Sequence, residues 1–99
     1  MNVLPALRDE LQKLFPEYPM TFISMDFGTE VLNIKLDESY YLSLVQDDNI
    51  LKLALRGIYA HDAIDLLDPH FIDRIVWLIR SYSQQIGVLL ANRTVEPRL

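Results

Sequence analysis

The stretch DPHFIDRIVWLIRSYSQQIGVLLAN, residues 68–92, is the one around which the rest of the chain is organised. Asp68 can accept hydrogen bonds from the free N–H groups of a first helical turn, and Pro69 sits where a missing N–H costs nothing. At about 100° per residue, Phe71, Ile72, Ile75, Val76, Leu78, Ile79, Tyr82, Ile86, Leu89 and Leu90 fall on one side. That stripe is broad enough to cover a sheet and touch a second helix. Asp73, Arg74, Arg80, Ser81, Gln84 and Gln85 fall on the other side, and Trp77 lies among them with Val88 about three turns further on. A Trp on a polar face is either covered by another segment or an interface anchor, since Trp is enriched at binding hot spots. Gly87 costs a helix roughly 1 kcal/mol against Ala. Leu89 and Leu90 fit a helix that continues through it; the alternative ends the helix there and leaves residues 88–91 as a strand.

Upstream, Asn2 can cap a first helix whose apolar stripe is Val3, Leu4, Leu7, Leu11, Leu14 and Phe15, with Pro16 stopping it. Four strands follow over residues 20–26, 30–36, 40–46 and 49–56, each alternating apolar and polar side chains. Their connections are too short for anything but antiparallel neighbours, so the sheet is a meander. Residues 60–67 read as one helical turn with Ile64 and Leu67 facing inward, and residues 94–99 as a frayed tail. The expected fold is α+β, a single domain: a four-stranded antiparallel meander with an N-terminal and a long C-terminal helix on one face, in the order α-β-β-β-β-α.

Facing core residues toward one another sets the register. It places Ile23 opposite Ile34, with Thr21, Ile23 and Met25 on the core face. It places Ile34 opposite Leu42 across a three-residue loop at 37–39, and Leu42 opposite Leu53 across a turn at Asp47-Asp48. The uncovered face then carries three rows: Val31, Val45 and Ile50; Ser24, Asn33, Ser43 and Lys52; Phe22, Lys35, Tyr41 and Ala54. A purely solvated face rarely gathers so many apolar side chains.

Composition narrows the function. The chain has 99 residues, half of them hydrophobic, a net charge of −5 and no cysteine. It can fill one core, and it has no disulfide framework or thiolate chemistry. A phosphate backbone is repelled by the net charge, and no Lys/Arg cluster makes a local exception. The first residues lack the basic-then-apolar layout of a signal peptide, and the longest apolar run, 75–79, is too short to span a bilayer. The expectation is a cytoplasmic protein that binds neither nucleic acid directly nor membrane.

His61, Asp62, Asp65 and His70 are the one grouping with the residue types of a metal or acid–base site, but a further ligand at definite spacing is missing. Asp26, Glu30, Asp47 and Asp48 gather at one end of the sheet without the alternate-residue spacing of a calcium loop; Asp simply favours turns. No serine sits in a Gly-x-Ser-x-Gly elbow, and three glycines build no phosphate loop. Neither catalysis nor a cofactor is expected.

The sequence therefore points to a non-enzymatic protein–protein interaction module whose partners are another protein and a second copy of itself, as a homodimer. Its candidate surfaces are Trp77 and Val88 on the helix, and Phe22, Val31, Tyr41, Val45 and Ile50 on the open sheet face. The order of a helix, short acidic Leu-rich strands and a long C-terminal helix resembles a reduced type III secretion chaperone over residues 4–56. That resemblance implies a small acidic dimer holding a segment of another protein. The alternative is an acidic inhibitor of the anti-CRISPR, anti-restriction or immunity type, blocking a basic or nucleic-acid-binding site. An inhibitor needs carboxylates concentrated on one surface, whereas a module needs an apolar patch.

Overall fold

The computed structural model describes residues 2–56 and 60–95. The elements run α1 (Leu4–Leu14), β1 (Met20–Ser24), β2 (Glu30–Asp37), β3 (Tyr40–Asp47), β4 (Ile50–Arg56), β5 (Ala60–Asp65) and α2 (Phe71–Val95). The fold is α+β, and the sheet has five antiparallel strands in sequence order rather than four. Both helices lie on one face. Leu4, Leu7, Leu11 and Phe15 meet Ile75, Ile79, Tyr82 and Ile86 in one core with Leu32, Ile34, Leu42, Leu44, Leu51, Leu53 and Leu55 from the central strands.

Helix α1 starts where the Asn2 side chain accepts the Leu4 N–H at 3.1 Å. The Val3 N–H donates to Gln46 Oε1 at 2.8 Å and fixes that end to β3. Leu14, expected in the buried stripe, is half exposed. The turn after α1 is held by Gln12 Nε2, which donates to the carbonyls of Phe15 and Tyr18. Tyr18 and Ser83 share a hydroxyl hydrogen bond of 2.7 Å that ties this turn to α2.

Helix α2 begins at Phe71, a little later than Asp68 suggests. Asp68 accepts the His70 N–H at 2.9 Å and the Arg74 Nε–H at 2.6 Å. These donors, the backbone one foremost, hold its carboxyl below the usual aspartate range. The helix runs straight through Gly87, so residues 88–91 are not a strand. A methyl group placed at Gly87 would meet no atom within 4 Å, so no close approach calls for a glycine there. The tail expected to fray from 94 is helical to Val95; residues 96–99 lie outside the described ones.

Three features of the sheet differ from the sequence reading. First, β1 pairs Met20 with Ile34 and Ile23 with Val31, not Ile23 with Ile34. This slip is odd, so it flips the strand: Met20 and Phe22 face the helices, and Ile23 and Met25 are exposed. Phe22 therefore leaves the open face, and the Arg8 guanidinium of α1 lies 5.7 Å from its ring centre. The connection is a longer loop with Phe27 at φ 65° and Gly28 at φ 77°. Second, Ile34 pairs with Leu42 as expected, but through a β-bulge between Lys35 and Asp37 and a two-residue turn rather than a three-residue loop. On β4, Leu42 pairs with Leu55 and Leu44 with Leu53 across a turn at Asp48-Asn49. That shift is even, so Leu42 and Leu53 still share the core face. Asp48 takes a positive φ of 55°, which a short Asp side chain tolerates.

Third, residues 60–65 are a strand, not a helical turn. Ile64 is buried as expected, but Leu67 is 72% exposed. Residues 57–59, between β4 and β5, lie outside the described ones.

Candidate interaction surfaces

The sheet face away from the helices carries Thr21 and Ile23 from β1, Val31, Asn33 and Lys35 from β2, and Tyr41, Ser43, Val45 and Asp47 from β3. Ile50, Lys52, Ala54 and Arg56 of β4, and His61, Ala63 and Asp65 of β5, complete it. Ile23 pairs with Val31, Val45 with Lys52, and Lys52 with Ala63. Val31 stands in line with Val45, one step beyond the Leu32–Leu44 pair. These residues form one stripe across the sheet.

A hollow of about 740 Å³ lies over this stripe, lined by Met25, Val31, Val45, Lys52, Ala54 and Arg56 among others. Val31 is only 8% exposed and Ser43 6%, although no helix lies over them, so neighbours on the same face close around them. Ser43 is also held by polar contacts. Its hydroxyl donates to Asn33 Oδ1 at 3.2 Å and accepts from Arg56 Nε at 3.3 Å. Tyr41 is half-buried between Lys35 and Arg56, its pairing partners. Ile50 lies beyond the hollow at the end of the sheet, 38% exposed and paired with Asp47 and Asp65.

In a chain of net charge −5, the charges on this hollow are cationic: Lys52, bridged to Asp47 at 3.0 Å, and the exposed Arg56. Asp62 borders the hollow, but its carboxylate accepts the Tyr82 hydroxyl on the helix side. Of the other carboxylates, Asp26, Glu30, Asp47, Asp48 and Asp65 stand at one end of the sheet, where the β1–β2 loop, the β3–β4 turn and the end of β5 lie. Asp9 and Glu10 are on α1, Asp37 and Glu38 at the opposite sheet end, and Asp68 and Asp73 at the start of α2.

Among the described residues no strand pairs with the outer edge of β5, and Trp77, 67% exposed, stands beside that edge. A groove of about 400 Å³ there is lined by Asp62, Ala63, Ile64, Asp73, Arg74, Trp77 and Leu78. Val88, 60% exposed, lies about 16 Å further along α2 in a separate groove with Ser81, Gln84, Gln85 and Leu89. Trp77 and Val88 thus share a helix face but not a site.

One surface was not foreseen. Phe27 is fully exposed at the tip of the β1–β2 loop, in the left-handed region that a bulky residue rarely occupies. A glycine beside an aromatic in a turn was its one trace in the sequence.

The His61, Asp62, Asp65 and His70 grouping is dispersed. His61 and Asp65 are on the open face, Asp62 on the helix face, and His70 pairs with Asp73 at 3.8 Å. Among the described residues, no three His, Cys, Asp or Glu side chains converge as a metal-holding group. No helix among them is long and apolar enough to cross a membrane. No protein-family model, no curated protein and no solved structure matches the chain, so the likeness in element order to secretion chaperones gains no support.

Proposed function

We propose that this protein is a non-enzymatic protein–protein interaction module that receives a segment of another protein on its open sheet face and associates with a second copy of itself. The observation that carries this reading is the hollow over Val31 and Val45, an apolar floor on the sheet face that neither described helix covers, whereas the centre of the other face is buried under both. Lys52 and Arg56 at its side favour a partner segment that is apolar on one side and carries carboxylates on the other. The apolar hollow supports a module over an acidic inhibitor, which would instead use the carboxylates at the sheet end. The reading includes a cytoplasmic location.

The test is capture of a partner from the native host by the wild-type chain beside Val45→Glu and Tyr41→Ala, each first checked for folding. The partner should be retained by the wild type and lost by Val45→Glu. A partner held equally by all three would remove the sheet face from the proposal.

A further inference from the structure

We infer that the free edge of β5 is the self-association surface: two copies pair β5 to β5 antiparallel about a two-fold axis through Ala63, joining two five-stranded sheets into one. This rests on the reading above and names the surface it leaves open. It assigns the dimer to the edge and reserves the sheet face for the other protein.

The hydrogen-bond phase of β5 can be read from its end. The Leu66 N–H donates to the Asn49 carbonyl at 2.8 Å, and the pairing from Ile50–Asp65 to Leu55–Ala60 continues in register from there. In an antiparallel ladder every second residue turns its N–H and C=O toward the neighbour. Residues 60, 62, 64 and 66 therefore bond to β4, and 61, 63 and 65 direct theirs outward. An axis through Ala63 makes Ala63 and its copy a hydrogen-bonded pair, exchanging both backbone bonds. It sets residue 61 against residue 65 of the copy at either side.

The side chains agree with that register. His61, Ala63 and Asp65 stand in line on the open face. About the axis, His61 meets the copy's Asp65 twice over, an imidazole donor opposite a carboxylate acceptor, and the small Ala63 meets itself, so the pattern complements itself in hydrogen bonding and in size. On the helix face, Trp77 lines the same groove as Ala63. The axis therefore brings the two Trp77 rings together between α2 and its copy, two helices that can approach to about 8–10 Å. One symmetry operation accounts for both an open strand edge and the large exposed aromatic beside it. Charged residues on an edge strand also serve to keep copies apart, and the same experiment decides between the two roles.

Sedimentation equilibrium at about 0.1 mM, a concentration that fills even a weak specific dimer, is run on the wild type and three variants. Ala63→Pro removes an outward N–H at a position where an edge strand tolerates proline. Trp77→Ala removes the exposed ring. Ser24→Pro makes the proline change on β1, whose outward residues are the even-numbered ones because the Met25 N–H bonds to Thr29 and the Lys35 N–H to Pro19. Circular dichroism melts show that each variant is folded. The expected result is a wild-type dimer, kept by Ser24→Pro and weakened more than about tenfold by both Ala63→Pro and Trp77→Ala. A dimer unchanged by folded Ala63→Pro and Trp77→Ala overturns the edge pairing but leaves self-association standing. A wild-type monomer overturns both, and the partner capture described above still decides the sheet face.

Discussion

The Tyr82 hydroxyl, on the buried face of α2, donates its hydrogen bond to the carboxylate of Asp62 on β5. This contact, beside the burial of Ile64, attaches the last strand of the sheet to the helix that covers it. It also turns the Asp62 carboxylate away from the open face. Burial first, and then the Asp62 carboxylate, hold the Tyr82 hydroxyl well above the ordinary tyrosine value.

Tyr82→Phe is expected to cost about 1–2 kcal/mol, because Asp62 loses its donor but stays within reach of water. The pH dependence has a definite sign. The unfolded chain ionises Tyr82 near the ordinary tyrosine value of 10.0, whereas the folded chain resists. The contribution is complete below that pH and is lost as pH rises through the higher folded value. Urea unfolding at pH 8 and pH 11 should show the wild type losing more stability than Tyr82→Phe; equal losses would mean that the hydroxyl is not held as described.

Val45→Glu and Leu42→Glu separate the two faces of β3. Val45 is half-buried on the open face and paired with Lys52, so a carboxylate there remains hydrated and finds a cation. The expected cost to the isolated fold is about 1 kcal/mol. Leu42 is fully buried, and Glu in its place should prevent folding. Thermal melts of both variants check the contrast, and a Val45→Glu chain as unfolded as Leu42→Glu would make the open face part of the core.

Gly87→Ala should stabilise the protein by about 1 kcal/mol, since the position is helical and a methyl group meets open space. Chemical denaturation reads this as a higher midpoint at unchanged slope. A loss of stability would mean that the helix is interrupted at Gly87.

Phe27→Asn tests the exposed loop tip. Asn visits positive φ more readily than a bulky aromatic, and no packing is lost, so the melting temperature should hold or rise. If captured partner is then lost from a chain of undiminished stability, Phe27 is a contact residue. Unchanged capture confines recognition to the sheet face.

Periodicity determined the core faces of β2, β3 and β4 and most of that of α2, because in each the large apolar residues are concentrated in one phase; Leu89, expected on the buried stripe of α2, is instead 40% exposed. Leu32, Ile34, Leu42, Leu44, Leu51, Leu53 and Leu55 are all buried as that pattern requires. The same rule put Trp77 and Val88 on the polar face of α2, but whether another segment covers Trp77 was decided only by the fold, which leaves it 67% exposed. The phase of β1 did not, because both of its faces are apolar: Met20 and Phe22 compete with Ile23 and Met25. Contact with the rest of the core, and the length of the loop closed by Phe27 and Gly28, settled the competition for Met20 and Phe22. The strand β5 was invisible for a different reason. Ala-His-Asp-Ala-Ile-Asp has little intrinsic preference for a strand and only one large apolar side chain. It becomes one because β4 would otherwise leave a row of backbone groups unpaired at the sheet's edge, and because Ile64 and Asp62 find Leu51 and Tyr82 once it is there. Those partners are distant in sequence, so only the assembled fold could decide that the surface beside Trp77 is a strand edge.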